Sequence, residues 1–320
     1  MNEPLLATDR LSKVFNLRHG LLARRIRLVA VDRVSLQIGA GETLGLVGES
    51  GCGKSTLGLT IMRLYEPSGG QVRFAGRDLA GLDARGLREA RRQMQMIFQD
   101  PLAALDPRLT VGQIVAEPLD IHAIGSPAER AATARRLLER VGLPADAARR
   151  FPNEFSGGQQ QRIGIARALA LQPQLLICDE AVSALDVSVQ AQILNLLRDL
   201  QEEFGLAFLF ISHNIAVTAL MSRRIGVMYL GQLVEIGPSR AIVEAPRHPY
   251  TQALIAAVPA PDPARRRRRG AVEGDVPSPI ERPAGCPFHP RCPLAQAICA
   301  AEEPQLREIG REHQVACHFA

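Results

Sequence analysis

Residues 31–38 read V-D-R-V-S-L-Q-I, with apolar and polar positions in near alternation, and predict a half-buried strand. Gly39 and Gly41 end it. Thr43–Val47 predicts a buried strand, followed by a glycine-rich turn and a helix from about Lys54 to Leu64. Pro67, Gly69 and Gly70 close that unit, and Gln71–Ala75 reads as a short strand. From Pro101 to Pro152 the pattern is mostly helical, with Ala, Leu, Glu and Arg at helical spacing over Glu129–Val141. Leu175–Cys178 is a continuous apolar run bounded by charge, as a central parallel strand requires. A helix over 187–203, a strand over Leu206–Ile211 and a helix over 214–222 follow. Strand and helix in alternation, interrupted by a helical insertion, predict a parallel α/β sheet carrying a helical subdomain. Past Tyr250 the composition shifts. Pro259, Pro261, Pro263, Arg265–Arg269, Pro277, Pro279 and Pro283 mark a linker over 258–285, and a cysteine-rich region fills 286–320. There is no internal repeat.

Composition narrows the classes. With 320 residues, 46% of them hydrophobic, the chain can bury one large core and carry an appendage. Its formal net charge is 38 − 33 = +5, and Arg265–Arg269 alone supplies five positive charges. The rest balances to zero, so the basic character is a local run and not a basic face. Such a run is a solvated linker by default; contact with anionic lipid headgroups is the alternative at a membrane. Trp is absent and aromatics are 4%, which argues against a carbohydrate or single-stranded nucleic-acid platform. No apolar run reaches the roughly 18 residues of a spanning helix. The start, MNEPLLATDR, has no export signal, so the chain is expected to stay in the cytosol.

Gly48-Glu49-Ser50-Gly51-Cys52-Gly53-Lys54-Ser55 fits G-x-x-x-x-G-K-[ST], with Thr56 next in the following helix. The glycines let backbone N–H groups turn inward around phosphates, and the helix start adds its positive end. Lys54 is placed for the β- and γ-phosphates and Ser55 for Mg²⁺. Leu175–Glu180 is four apolar residues ending in two acids, at the strand end where ligands gather. Asp179 is expected to hold the Mg²⁺ shell and Glu180 to orient or deprotonate the attacking water, the alternative being two helix-capping acids. Cys178 reads as core filler. Phe155-Ser156-Gly157-Gly158-Gln159-Gln160-Gln161-Arg162 opens a helix running to about Leu171 and forms a second anion site. One NTPase domain has no use for two phosphate cradles, whereas a dimer does, because each copy can close the other's site.

With these motifs in this order the sequence resembles the ATP-binding cassette family over roughly residues 5–257. FSGGQ resembles its LSGGQ signature, with Phe155 for Leu. Gln99, in I-F-Q-D-P, resembles the glutamine that contacts Mg²⁺ and faces the permease. Ser183-Ala184-Leu185-Asp186 resembles the loop that follows the catalytic acid, and His213 the histidine at the γ-phosphate. Phe15 is the candidate for stacking on adenine, although residues 16–30 read as an insertion and a core Phe is an alternative. H-P-Y-T at His248, A-V-P at Ala257, G-C-P-F at Gly285 and R-C-P at Arg291 narrow the resemblance to oligopeptide/dipeptide (and nickel) importer ATPases. Ala181-Val182 departs from the usual Pro-Thr.

The implied fold is a P-loop NTPase of ABC type over 1–257, with an antiparallel β subdomain and a helical subdomain at about 100–165, plus the cysteine-rich tail. The implied activity is hydrolysis of Mg-ATP that energises uptake of oligopeptides or dipeptides, the alternatives being nickel or another small solute, or a soluble cassette ATPase outside transport. The implied partners are two transmembrane permease subunits, a second ATPase subunit (the same or different) and an extracytoplasmic solute-binding protein. No nucleic acid is expected. The implied location is peripheral, on the cytoplasmic face of the membrane. DNA-repair or translation cassettes would bring coiled-coil insertions or a duplicated cassette, and a P-loop kinase would not need FSGGQ or His213. A nucleotide-gated binding module would not need Glu180 and His213.

Cys286, Cys292, Cys299 and Cys317 crowd into the last 35 residues. In a reducing compartment such a cluster points to a metal or redox site before a disulfide framework. Four thiolates suit zinc or an iron–sulfur cluster, and the absence of C-x2-C pairs makes zinc the less obvious choice. The family resemblance implies a [4Fe-4S] cluster; a reduced structural tail, or a disulfide pair formed only on oxidation, is the alternative. His289, His313 and His318 read as surface histidines or substitute ligands.

Overall fold

The structure is a computed structural model that describes residues 3–18, 25–183, 185–258 and 277–320. The chain divides into two compact units. One comprises Met1–Gly39, Thr43–Gly81 and Phe210–Ala320, the other Ala40–Glu42 and Leu82–Leu209.

The first unit opens with a long hairpin, β1 (Leu6–Arg18) and β2 (Arg25–Ile38), in which Leu6 faces Ile38 and Phe15 faces Leu28. The stretch read as an insertion continues this ladder, Asn16 opposite Arg27 and Leu17 opposite Ile26. Next come β3 (Thr43–Val47), α1 (Lys54–Ile61), β4 (Gly69–Phe74) and β5 (Arg77–Asp78). Strands β2, β1, β4 and β5 form, in that order, an antiparallel sheet, the expected β subdomain. Period-two alternation, reset by a register shift in β1 between Thr8 and Leu11, buries one row of it: Leu6, Leu11, Val34, Leu36, Ile38, Val72 and Phe74. Helix α1 stops short of Leu64 because Arg63 turns left-handed, at φ 52°, while its guanidinium donates to Leu79 O at 2.6 Å.

In the second unit, α2 (Ala84–Gln93) leads to β6 (Met94–Ile97), a strand too short to stand out in the pattern. The helical insertion follows as α3 (Pro101–Ala104), α4 (Val111–Ile121), α5 (Pro127–Arg140) and α6 (Gly157–Leu169). Capping boxes at Thr110/Gln113 and Ser126/Glu129 start α4 and α5. Then β7 (Leu175–Asp179) lies parallel to β6, with Ile97 opposite Cys178, and α7 (Val187–Phe204) buries Ile193, Leu197 and Leu200 along one face.

Strand β8 (Ala207–Ser212), buried throughout, carries the chain back into the first unit. There α8 (Ile215–Met221), β9 (Arg224–Tyr229), β10 (Gln232–Pro238), α9 (Ser239–Glu244) and α10 (Pro249–Ala256) follow. Strand β9 runs parallel to β3 and antiparallel to β10. The cysteine-rich region adds α11 (Ala297–Ala301), β11 (Arg307–Gly310) and β12 (His313–Val315). Instead of standing apart, it pairs β12 with β10, Glu235 opposite Val315. Its Phe288, Cys286 and Cys299 pack with Tyr229, Tyr250, Val47 and Val227 in one core. Residues 259–276, with Pro259, Pro261, Pro263 and Arg265–Arg269, lie outside the described residues. Closer to the tail, Arg282 pairs with Asp32 at 2.7 Å. No helix among the described residues is long and apolar enough to cross a membrane.

Candidate active site

In the first unit the buried strand β3 delivers the chain to the glycine loop, and α1 leaves it. Gly53 is the N-cap of α1 at φ 102°, and a Cβ there would run into the backbone oxygen of Ala30, so only glycine fits. Lys54 is 4% exposed. Its ammonium lies along the loop, donating to Gly48 O at 2.8 Å and Glu49 O at 2.9 Å, with Cys52 Sγ 3.6 Å away. Cys52 is buried, and burial pushes its thiol up against the opposing pull of Lys54. Ser50 and Gly51 are exposed at the loop tip, and Ser55 and Thr56 are half-buried in the first turn of α1.

Glu49 is held from three sides. Its N–H donates to Tyr250 Oη at 2.8 Å and its C=O accepts from Lys54. Its carboxylate accepts both terminal nitrogens of Arg291, at 2.8 and 3.0 Å. In the sequence Tyr250 and Arg291 stand only in the H-P-Y-T and R-C-P marks, and nothing there pairs either with Glu49. His213 is exposed just past the end of β8, next to Asn214, whose Oδ1 caps α8 by accepting from Ala216 N and Val217 N. Phe15 sits half-buried on β1, edge-on to Tyr65 at 5.2 Å between ring centroids, with Lys13 Nζ 5.0 Å from its centroid.

In the second unit β7 ends at Asp179, 6% exposed. Glu180 follows in left-handed backbone, φ 48°, a strained conformation for a residue with a side chain. Its carbonyl accepts Ser183 N at 3.0 Å and Ser183 Oγ at 2.9 Å, so the loop after the strand is closed on itself. Its carboxylate accepts Gln99 Nε2 at 3.0 Å, uniting two candidates 81 residues apart. Behind it, Cys178 is fully buried and burial raises its thiol to about 12, an inert core group as expected.

The signature turn is organised locally. Ser156 N–H donates to Gln159 Oε1 at 3.0 Å and Ser156 Oγ accepts Gln159 N–H at 3.4 Å, a reciprocal cap for α6. Phe155 is buried under the Arg150 guanidinium, 4.4 Å from its ring centroid, so an aromatic ring is accommodated where Leu is usual. Gly157 is exposed at the helix start; a Cβ on Gly158 would come 2.5 Å from Val189 Cγ1. Asp186 is the N-cap residue of α7, without a side-chain cap bond; Ala184 lies outside the described residues.

The C-terminal cysteines correct an expectation. All four are free thiols. Cys286 and Cys299 are packed into the aromatic core, Cys286 N–H donating to Cys299 O at 2.8 Å. Burial pushes the Cys286 thiol up to about 11, the other three thiols adding a little, and burial also raises Cys292. Yet among the described residues no three His, Cys, Asp or Glu side chains form a set able to hold a metal ion. Neither the [4Fe-4S] cluster nor zinc is supported by this arrangement. The nearby histidines are engaged elsewhere: His289 Nδ1 faces Cys286 O at 2.9 Å and His318 Nε2 faces Glu302 O at 3.0 Å. His313 is no surface histidine; it is buried, with Nε2 2.8 Å from Glu235 Oε1.

Residues 31–183 match the ABC transporter family, and residues 234–299 match the oligopeptide/dipeptide transporter C-terminal region. The chain is 54% identical, over 99% of its length and 90% of the relative's, to the probable peptide ABC transporter ATP-binding protein y4tS of Sinorhizobium fredii. It is 49% identical, over 99% of its length and 98% of the relative's, to the oligopeptide transport ATP-binding protein AppF of Bacillus subtilis. Among solved structures it is similar to the dimeric ATP-binding cassette MJ0796 in a post-hydrolysis state bound to ADP and Pi. The TM-score is 0.65 at 32% identity, over 73% of this chain and 99% of that one.

Proposed function

The chain belongs to the ATP-binding subunits of ABC transporters, of the kind that carries the oligopeptide/dipeptide transporter C-terminal region, and from that membership we propose that it hydrolyses Mg-ATP to drive peptide uptake through separate permease subunits. The contact between Gln99 and Glu180 at the end of β7 carries the hydrolytic part. A chain that only bound nucleotide would have no need to orient a carboxylate with a glutamine amide beside the buried Asp179. In this reading Lys54 leaves its loop carbonyls for the β- and γ-phosphates. Ser55 and Asp179 would hold Mg²⁺, a fit supported by a buried carboxylate at a strand end and a hydroxyl at a helix start. Mg²⁺ supplies charge neutralisation at the phosphates. Glu180 takes a proton from the water that attacks the γ-phosphorus while the bond from that phosphorus to the departing ADP breaks, Gln99 orients that water, and His213 contacts the γ-phosphate.

Two ATPase subunits, identical or different, share the work. The exposed Ser156 and Gly157 and the half-buried Gly158 at the start of α6 cap the nucleotide held by the other subunit, alongside Gln159 and Asp186. ATP favours the closed pair, and ADP with phosphate releases it, which is the differential binding that work requires. Permease subunits contacted near Gln99 and an extracytoplasmic solute-binding protein complete the assembly, with this chain peripheral on the cytoplasmic face of the membrane. Phe15 stacks on adenine. No step runs through the C-terminal cysteines.

Glu180→Gln tests the assignment. ATP turnover should fall by about 10²-fold or more, the range of a lost general base, while ATP still binds and the closed dimer accumulates in gel filtration. Turnover at the unaltered rate would refute it.

A further inference from the structure

We propose that Arg291 is a positioning residue for nucleotide binding: from the cysteine-rich region it clamps the Glu49 carboxylate and so holds the phosphate loop in the shape that receives the triphosphate. This rests on the ATP-binding reading above and deepens it.

The observations converge on Glu49. Arg291 reaches it across 242 residues of sequence and meets it through both arms of the guanidinium fork. Its side chain is only 6% exposed, and its Nε is buried with no hydrogen-bond partner among the described residues. A partly buried ion pair is a poor source of stability, because desolvation offsets much of the attraction, and here one guanidinium nitrogen goes without a partner among the described residues as well. What the pair does supply is geometry, since a planar fork on a carboxylate fixes distance and angle together.

Arg291 itself projects from a stiff support. A 3₁₀ turn spans His289–Arg291, with Arg291 N–H donating to Phe288 O at 3.0 Å. Phe288 is 1% exposed and packs on Tyr229 and Tyr250, at 5.3 and 5.4 Å between centroids. Tyr250, from α10, is the residue that accepts the Glu49 N–H. Two arms that begin beyond residue 248 thus close on the second residue of the loop, one on its backbone and one on its side chain. The same residue's carbonyl is one of the two that hold Lys54, so its position decides where the ammonium starts. A loop already held in place loses less freedom on binding, and the saving appears as affinity.

The experiment compares Arg291→Met, Arg291→Lys, Glu49→Gln and the double variant Arg291→Met/Glu49→Gln in the full chain. Mg-ATP affinity is read by displacement of a fluorescent ATP analogue, together with KM, kcat and melting temperature. Arg291→Met should weaken Mg-ATP binding and raise KM about tenfold, with kcat within about twofold. Glu49→Gln should do much the same. The double variant should be no worse than the worse single, as expected when both remove one interaction. Arg291→Lys, keeping the charge without the fork, should fall between Arg291→Met and the unaltered chain. A lowered melting temperature with unchanged affinity would overturn the inference, as would affinity losses that add. If Arg291→Met does not fold, Glu49→Gln decides alone, because it keeps the side chain's size: unchanged affinity there overturns the inference. Failure of the unaltered chain to bind Mg-ATP would instead sink the reading beneath it.

Discussion

The loop at Gly48–Ser55 and the turn at Phe155–Gln159 both end in a helix start suited to an anion, but their supports come from very different distances along the chain. Glu49 in the loop is held by Tyr250 and Arg291, 201 and 242 residues away. Ser156 in the turn is held by Gln159, three residues on, and Gln160 ties the turn to Pro152 and Phe155, eight and five residues back. The turn is therefore a local object that a short stretch of chain can make by itself. The loop is a local motif whose exact shape is completed by the far end of the polypeptide. Damage to the C-terminal region should reach the loop and leave the turn intact.

The comparison can be broken at its glycines first. Gly53→Ala drives a Cβ into the backbone oxygen of Ala30, which cannot step aside, in left-handed backbone. Mg-ATP affinity should drop by about a hundredfold or more, checked by the same displacement titration. Acid should separate the two regions next. His248 is 1% exposed and burial lowers its pKa to about 3, offset in part by a bond involving the Ala316 backbone. The unfolded chain takes up this proton below about pH 6.5, while the folded chain refuses it until about pH 3. Stability is thus fully present above pH 6.5 and is lost as pH falls through that window, by about 3 kcal/mol at pH 4.5. His248 accepts the Tyr250 N–H through Nδ1 and so starts α10. Hydrogen exchange should show α10 opening in acid before α6. His248→Asn, which keeps an acceptor for the cap, should flatten the acid limb of stability; an unchanged limb would assign it to other groups.

A smaller effect belongs to the turn. Gly158→Ala presses on Val189 Cγ1, a side chain that can move, and should cost about 1–3 kcal/mol by thermal unfolding. Val189→Ala should restore most of it, a rescue not open to Gly53→Ala. Smallest of all, Ser156→Ala removes one cap and should cost about 1 kcal/mol, with the loop's affinity in an isolated subunit unchanged.

The same contrast explains what could be read in advance. The strand and helix around Gly48–Ser55, the cap of α6 and the core role of Cys178 follow from neighbours in sequence, and each was legible. Strand β6 was missed because M-Q-M-I is four residues long beside a helical pattern. Strands β9 and β10 also went unread, as did the entry of β12 into their sheet, which depends on pairing over some 80 residues. The crowding of the four cysteines and the family resemblance suggested a metal set, but Cys286 and Cys299 serve as core residues beside Tyr229 and Phe288. Arg291 carried no periodic signal at all, and its contacts with Glu49 and Tyr229 exist only in the folded chain.

The pairing of β12 on β10 has a bearing on how this protein is handled. It covers the open side of Glu235–Ile236, and His313 in that strand partners Glu235, which is 0% exposed. A shortened version lacking the last ten residues would present unpaired backbone that invites self-association, and would take the imidazole partner away from Glu235, leaving its carboxylate only the Arg247 and His248 N–H groups. Expression trimmed for convenience at that end should yield precipitate, and restoring the final strand should restore solubility.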